Sequence, residues 1–480
     1  MTLEHHTFFI GGEWITPATT GRITLVSPST EEAIGSVPEA VEADVDAAVA
    51  AARRAFDDPR GWAGWDSGRR AAALRSLADQ LERRTEDVAR LVSLQNGMPI
   101  QISTMVEGGF PVRIYQWYAD LIERQPAQEE RPRARGGTTL VRREPVGVVG
   151  AIVPWNYPQG LAAFKLAPAL AAGCTVVLKP SPETLLDTFL FAEAVAASDL
   201  PPGVVSIVPG GRETGACLVA HPDVDKIAFT GSTAAGRAIA ETCGRLLRPV
   251  TLELGGKSAA IVLEDADLDL GRIGRDLFGA TLMNNGQTCH LSTRILAPAS
   301  RYAEVVDTMA QLASSLTVGD ALDPATRIGP MVTQAHRERV EGYIAKGRAE
   351  GARLVTGGGR PGHLERGWFI EPTVFADVDN RSMIAQEEIF GPVLAVIPYT
   401  DEDHAVRLAN DSRYGLAGSI WTADPEHGRT VARRMRTGTV GINGYAPDVA
   451  APFGGIKDSG LGRELGPEGL TAYQNLKSIY

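Results

Sequence analysis

Cysteine is scarce in this chain, with only Cys174, Cys217, Cys243 and Cys289 among 480 residues. None sits in a CxxC pair or in a cluster with histidine, so no zinc or other metal site and no disulfide framework is readable, and the thiols are expected to be reduced. Long apolar runs are missing as well. The longest stretches, Val146 to Trp155 and Leu161 to Cys174, are broken by Pro, Gly or Lys before the roughly 20 residues that a bilayer crossing needs. Basic charge is not in excess either: the formal net charge is -11 and the basic residues are scattered, which argues against a nucleic-acid partner. The opening MTLEHHTFFIGGEW lacks a basic start, an apolar core and a small-residue cleavage site. A cytoplasmic location is therefore expected.

What is present is an ordinary globular composition, 44% hydrophobic and 22% charged, in a chain long enough for two or three lobes. The runs FFIGGEWI and RITLVSP surround Gly- and Thr-rich turns and predict a small hairpin with a packing role. Two amphipathic helices follow. Val45, Ala48, Val49, Ala52 and Phe56 share one face, and Leu74, Leu77, Leu81, Val88 and Leu91 share another. From residue 147 the short apolar runs VGVVGAIVP, TVVLKP, VVSIVPG, KIAFTG and VTLELGG alternate with helical stretches, as in βαβ units on a parallel sheet. Ligands of such sheets sit beyond the carboxyl ends of the strands. Four of the runs end in Pro154, Lys179, Gly210 and Gly231. A second α/β set runs from Gly255 to about Gly444. Residues 126–142 are polar and rich in Pro, Arg and Gly, either an interlobe linker or a protruding hairpin that pairs with another subunit.

Several stretches carry chemistry, and each has a structural alternative. In PWNYP, Asn156 follows a strand and can donate to a developing oxyanion, a contact whose loss costs about 3–4 kcal/mol of barrier; the alternative is a turn-capping Asn between prolines. In LKPSPET, Lys179 can hold ribose hydroxyls or phosphate, or merely pack its stem. FTGSTAAGR offers a strand, a turn and a helix start, a candidate diphosphate site or a plain N-cap. Glu253 ends the apolar strand of LELGGKSA, where burial raises a carboxyl pKa toward that of a general base; a strand-end salt bridge is the alternative. In NNGQTCHLS, Cys289 is displayed on a connection. The other three cysteines, in apolar or helical surroundings, read as small buried hydrophobes. His290 is expected to point away from Cys289, as neighbours in an extended segment do. In QEEIFGPV, Glu388 can grip a ribose diol and Phe390 can wall a nicotinamide ring. PFGGIKDSGLGRELG reads as close-packed loops.

Taken together and in order, these motifs resemble the aldehyde dehydrogenase superfamily from about residue 8 to residue 480. The resemblance implies an α/β fold with a Rossmann-like cofactor domain over 1–125 and 143–254 and an α/β catalytic domain over 255–444. Residues 126–142 and 445–480 would form a small β oligomerisation arm and C-terminal segment, making a homodimer or homotetramer. It implies Cys289 as nucleophile, Glu253 as general base, and Asn156 with the Cys289 backbone N–H as oxyanion hole. Lys179, Gly231, Ser232, Gly236, Glu388 and Phe390 would hold the cofactor, with Trp155 beside it and Gly211 near the adenine end. Tyr157, Phe164 and Phe453 would line the substrate tunnel.

The implied reaction oxidises a small-molecule aldehyde to its acid through a Cys289 thiohemiacetal and thioester, with Glu253 activating the hydrolytic water. NAD is the expected cofactor. Many NAD-preferring relatives have an acid three positions after this lysine, where Pro182 stands here with Glu183 next to it, so NADP stays open. Two other functions remain at this point: a cofactor-independent cysteine hydrolase or acyltransferase, and a catalytically silent homologue.

Overall fold

Strands that read as unbroken apolar runs are covered on both faces, and the structure, a computed structural model describing residues 3–480, has two sheets built of them. The first runs in the order Val205–Ile207, Thr175–Lys179, Val148–Ile152, Lys226–Thr230, Val250–Glu253 and Gly460–Leu461. All are parallel except Gly460–Leu461, which closes the edge antiparallel. The chain fills one side from Val148–Ile152 outward and then crosses to Lys226–Thr230 on the other. That reversal opens a crevice at the carboxyl ends of these two neighbours. Helix Pro158–Ala172 is buried along its whole length beneath the sheet, which is why its sequence shows no polar face.

The second sheet runs Arg353–Thr356, Thr373–Ala376, Val393–Tyr399, Arg294–Pro298, Ala259–Val262, Gly418–Trp421 and Gly441–Ile442. It is parallel apart from the antiparallel edge strand Arg353–Thr356. The fold is therefore the α/β arrangement that the resemblance implies.

Several local expectations change. The hairpin lies wholly within FFIGGEWI, where Phe8–Ile10 pairs with Glu13–Ile15 across Gly11 and Gly12, both at positive φ. Arg22–Val26 pairs instead with Ala33–Pro38 in a separate sheet. The face from Leu74 to Leu91 belongs to two helices, Ser67–Glu82 and Thr85–Asn96. The helix stops because Arg84 leaves helical geometry and the Thr85 hydroxyl donates to the Glu82 carbonyl. Residues 126–142 are not a linker. Gln128–Pro132 and Thr138–Pro145 form a hairpin whose turn holds Gly136 and Gly137 at φ 86° and 83°, and Gln474–Ile479 adds a third strand. Thr138–Pro145 passes through the 142/143 division without a break, and Gly460–Leu461 returns to the cofactor sheet from the C-terminal segment.

Candidate active site

At the crevice a cleft of about 780 Å³ brings together Trp155, Lys179, Gly211, Gly231 and Ser232. Lys179 ends its strand with Nζ donating to the Gly210 carbonyl at 2.6 Å, and burial lowers its pKa to about 8 despite the nearby Glu183 and Glu39. Ser232 caps helix Thr233–Arg245 through the Ala235 N–H, leaving the helix start facing the cleft. Gly236 does not line the cleft; a Cβ there would run into Leu254, so this glycine lets the helix approach the strand end. Ser181, Pro182 and Arg212 also line the cleft, and Glu39 accepts from the Gly211 N–H at 3.2 Å. Of these four only Pro182 was singled out from the sequence; Glu39 lies too far from the strand motifs to be noticed.

The loop that carries Cys289 is pinned from several sides. Asn284 and Asn285 both adopt positive φ, which Asn tolerates better than most residues. Asn285 accepts from the Gly329 N–H at 2.6 Å and donates to the carbonyls of Gly97 and Pro330. Asn156 donates from Nδ2 to the Gln287 carbonyl at 3.1 Å, and Asn284 donates back to the Asn156 carbonyl at 3.1 Å. The Tyr157 hydroxyl lies 2.7 Å from Thr288 Oγ1. Pro154–Tyr157 and Cys289 are thus held together although distant in sequence.

Cys289 and His290 occupy a turn rather than an extended segment, so both line the same tunnel and the alternation expected from the sequence does not apply. His290 stacks on Tyr445 with ring centroids 4.5 Å apart, and burial lowers its pKa to about 4, leaving it neutral. Burial, with the Glu388 and Glu253 carboxylates nearby, pushes the Cys289 thiol pKa well up. Glu253 is 2% exposed and neither carboxyl oxygen has a hydrogen-bond partner among the described residues. Burial, reinforced by Glu464, raises its pKa well above the usual range, while Lys165 and Arg463 oppose this. Lys165 and Glu464 form a fully buried ion pair at 2.6 Å. Neither signalled itself in the sequence, where GRELG read only as a packed loop.

Glu388 rests on Gly255 and Gly256, accepting from the Gly256 N–H at 3.0 Å, and burial raises its pKa to about 6. Phe390 adopts φ 63° and its ring meets Trp155 edge-on with centroids 5.4 Å apart. The three expected tunnel residues, Tyr157, Phe164 and Phe453, line a cavity of about 100 Å³ with Cys289 in its wall. Phe110, Leu161 and Met283 add to its apolar lining, which Glu107 and His290 interrupt. Of the remaining cysteines, Cys174 and Cys243 are buried in the core as expected, whereas Cys217 is only half-buried.

A nucleotide-sized cleft at a sheet reversal and an apolar tunnel with a cysteine in its wall are the parts that an oxidoreductase of aldehydes needs. The chain belongs to the aldehyde dehydrogenase family, whose sequence model matches residues 14–479, and it oxidises an aldehyde to the carboxylic acid with NAD(P) as acceptor. It is 60% identical over 480 residues to the geranial dehydrogenase of Castellaniella defragrans, covering 100% of this chain and 99% of that one. It is 40% identical over 486 residues to the chloroplastic betaine aldehyde dehydrogenase of Beta vulgaris, covering 100% and 97%. The crystal structure of Mycobacterium tuberculosis aldehyde dehydrogenase complexed with NAD+ superposes with a TM-score of 0.97 at 49% identity, covering 100% of this chain and 98% of that one.

Proposed function

We propose that Cys289 is the nucleophile, Asn156 and the Cys289 backbone N–H the oxyanion hole, and Glu253 the general base. The observation that carries this is the convergence of Cys289 in the tunnel wall, Asn156 bonded to the loop beneath it, and a buried carboxyl near enough to raise its thiol. Attack of the sulfur on the aldehyde carbon puts charge on the substrate oxygen, where Asn156 has a second amide hydrogen to offer. The thiol is protonated at rest, and its proton passes to solvent water as the C–S bond forms, leaving the charge on the substrate oxygen. In its deprotonated form Glu253 takes a proton from water attacking the thioester, which releases the acid and restores the thiol; burial makes that form a strong base.

The cleft fits a dinucleotide. Lys179, Gly211, Gly231 and Ser232 would hold the adenosine and diphosphate parts, Gly236 the helix behind them, and Trp155, Glu388 and Phe390 the nicotinamide end. When bound, that group supplies a two-electron acceptor for the substrate carbon. Glu183 and Glu39 both act on Lys179, and this local acidity disfavours an added 2'-phosphate, so NAD is preferred over NADP.

The tunnel selects an apolar aldehyde of medium-chain, aromatic or terpenoid type, because Phe110, Leu161, Phe164, Met283 and Phe453 offer no charge and Glu107, which also lines it, accepts from the Gln159 and Gly160 N–H groups and has its pKa raised by burial. The 60% identity to an enzyme named for geranial supports this class. The three-stranded arm, with Leu476 and Ile479 exposed, joins subunits into a homodimer or homotetramer, and its strand Thr138–Pro145 extends past residue 142 toward the cofactor lobe. The reduced thiols fit a cytoplasmic location.

The test is absorbance of the reduced nicotinamide over aliphatic, aromatic and terpenoid aldehydes, with NAD and NADP in parallel. Turnover lost in Cys289→Ala with NAD binding retained is expected. Undiminished oxidation by Cys289→Ala, or a preference for cationic aldehydes, would sink the reading.

A further inference from the structure

Two side chains one turn apart on helix Gln334–Ala349 hold the stretch that carries Glu388 and Phe390. His336 Nε2 donates to the Phe390 carbonyl at 2.7 Å, and Arg339 donates to the Glu388 carbonyl at 2.7 Å. The Thr333 hydroxyl caps the helix by accepting from the His336 N–H at 3.1 Å, which fixes the turn that bears the imidazole. A carbonyl can only accept, so Nε2 carries the proton. Burial lowers the His336 pKa to about 4, against the pull of the Phe390 carbonyl, and the ring stays neutral in that tautomer. The imidazole also meets Trp155 and Phe390 edge-on, with centroids 5.6 and 6.1 Å away.

Phe390 has φ 63°, which a bulky residue rarely adopts and keeps only where its surroundings over-determine it. The next residue is wedged from two sides. A Cβ on Gly391 would run into Val340 of the same helix, and a Cβ on Gly286, in the Cys289 loop, would run into the Gly391 carbonyl. The helix therefore presses the backbone of residues 388–391 onto the loop that carries the nucleophile.

We propose that His336 is a positioning residue for hydride transfer: its Nε2–H holds Phe390 in the left-handed conformation that stands the phenyl ring against Trp155, and Arg339 keeps Glu388 in the same register. His336 touches no reacting atom in this scheme, which rests on the placing of Trp155, Glu388 and Phe390 at the nicotinamide end. It acts through Phe390. Without the donor the Phe390 carbonyl loses its partner and the backbone relaxes to negative φ, turning the ring away from Trp155. Misplacement by about 1 Å can slow a reaction about 10²-fold.

Crystals of cofactor-free His336→Leu read the geometry without turnover, and Phe390 is expected at negative φ with its ring off Trp155. Stopped-flow single turnover with NAD and an aldehyde deuterated at the carbonyl carbon reads the chemistry. His336→Leu should slow the hydride step about 10- to 100-fold and enlarge the deuterium isotope effect, with little change in NAD affinity by calorimetry. His336→Gln, whose amide can donate to the same carbonyl, should restore most of the rate. Added to Phe390→Ala, His336→Leu should cost nothing more. Phe390 unmoved in the crystal, a parental hydride step, no rescue by His336→Gln, or additive losses in the double variant would overturn the proposal. If His336→Leu does not fold, Arg339→Met takes its place: a smaller slowing at unchanged NAD affinity is expected, and a parental rate overturns the scheme. An unaltered hydride step in Phe390→Ala would instead overturn the placing of the nicotinamide end, and this role of His336 with it.

Discussion

Replacing Lys165 with Met probes both stability and chemistry. Lys165 Nζ lies 2.6 Å from Glu464 Oε1 and also donates to Thr230 Oγ1, with Lys165 and Glu464 0% and 1% exposed. Glu464 Oε2 already lacks a partner among the described residues, so none of them stands ready to take over when the ammonium goes. Removing one member of a buried pair leaves an uncompensated charge and costs about 3–5 kcal/mol. Urea unfolding followed by tryptophan fluorescence reads this as a lower midpoint at unchanged slope. The double variant Lys165→Met with Glu464→Leu should recover most of the loss, since an apolar pair of similar volume needs no counter-charge.

The pH dependence has a definite sign. Lys165 lowers the Glu253 pKa and Glu464 raises it. Lys165→Met therefore pushes Glu253 further up, and a base that must be deprotonated to work moves its acid limb of turnover to higher pH. In the double variant both influences vanish, and the limb should return below that of the single variant. A single variant as stable as the parent, or an acid limb moved to lower pH, would refute the reasoning.

Asn156→Ala should lower kcat about 10²–10³-fold with little change in NAD binding, because it removes a donor that acts on the developing oxyanion; stopped-flow measurement of the oxidation step checks it. Gly256→Ala places a Cβ against the Cys289 carbonyl, a backbone atom that cannot rotate away, so Cys289 labelling by iodoacetamide and aldehyde oxidation should fall together. Lys179, with a pKa of about 8, is a cation below that pH and loses its charge above it. The KM for NAD should accordingly rise as pH passes upward through 8, and Lys179→Arg should flatten the rise. Deleting residues 474–480 removes the third strand of the arm and should yield a smaller species by light scattering, with the two large sheets intact.

Much of the lobe architecture was legible because local pattern and burial agree. The runs ending in Lys179, Thr230 and Glu253 are strands whose ends face the crevice region. Readings stayed open or failed where the deciding contact was not local. Whether residues 126–142 were linker or hairpin depended on pairing with a strand near residue 476, more than 300 positions away. The break at Arg84 was hidden because Val88 and Leu91 kept the helical period across it. His290 was misplaced because a turn, not a strand, carries it.

The amino-acid order alone determined the elements that local chemistry specifies: buried apolar strands, helix starts, a displayed cysteine and an acid closing an apolar run. Tertiary structure decided which of these meet. It brought Asn156 under Cys289 through Gln287, set Lys165 and Glu464 around Glu253, and assigned Gly236 to packing rather than to the cleft wall. Those outcomes rest on contacts between segments up to 299 residues apart, in surroundings where removal from water sets the charge of each group.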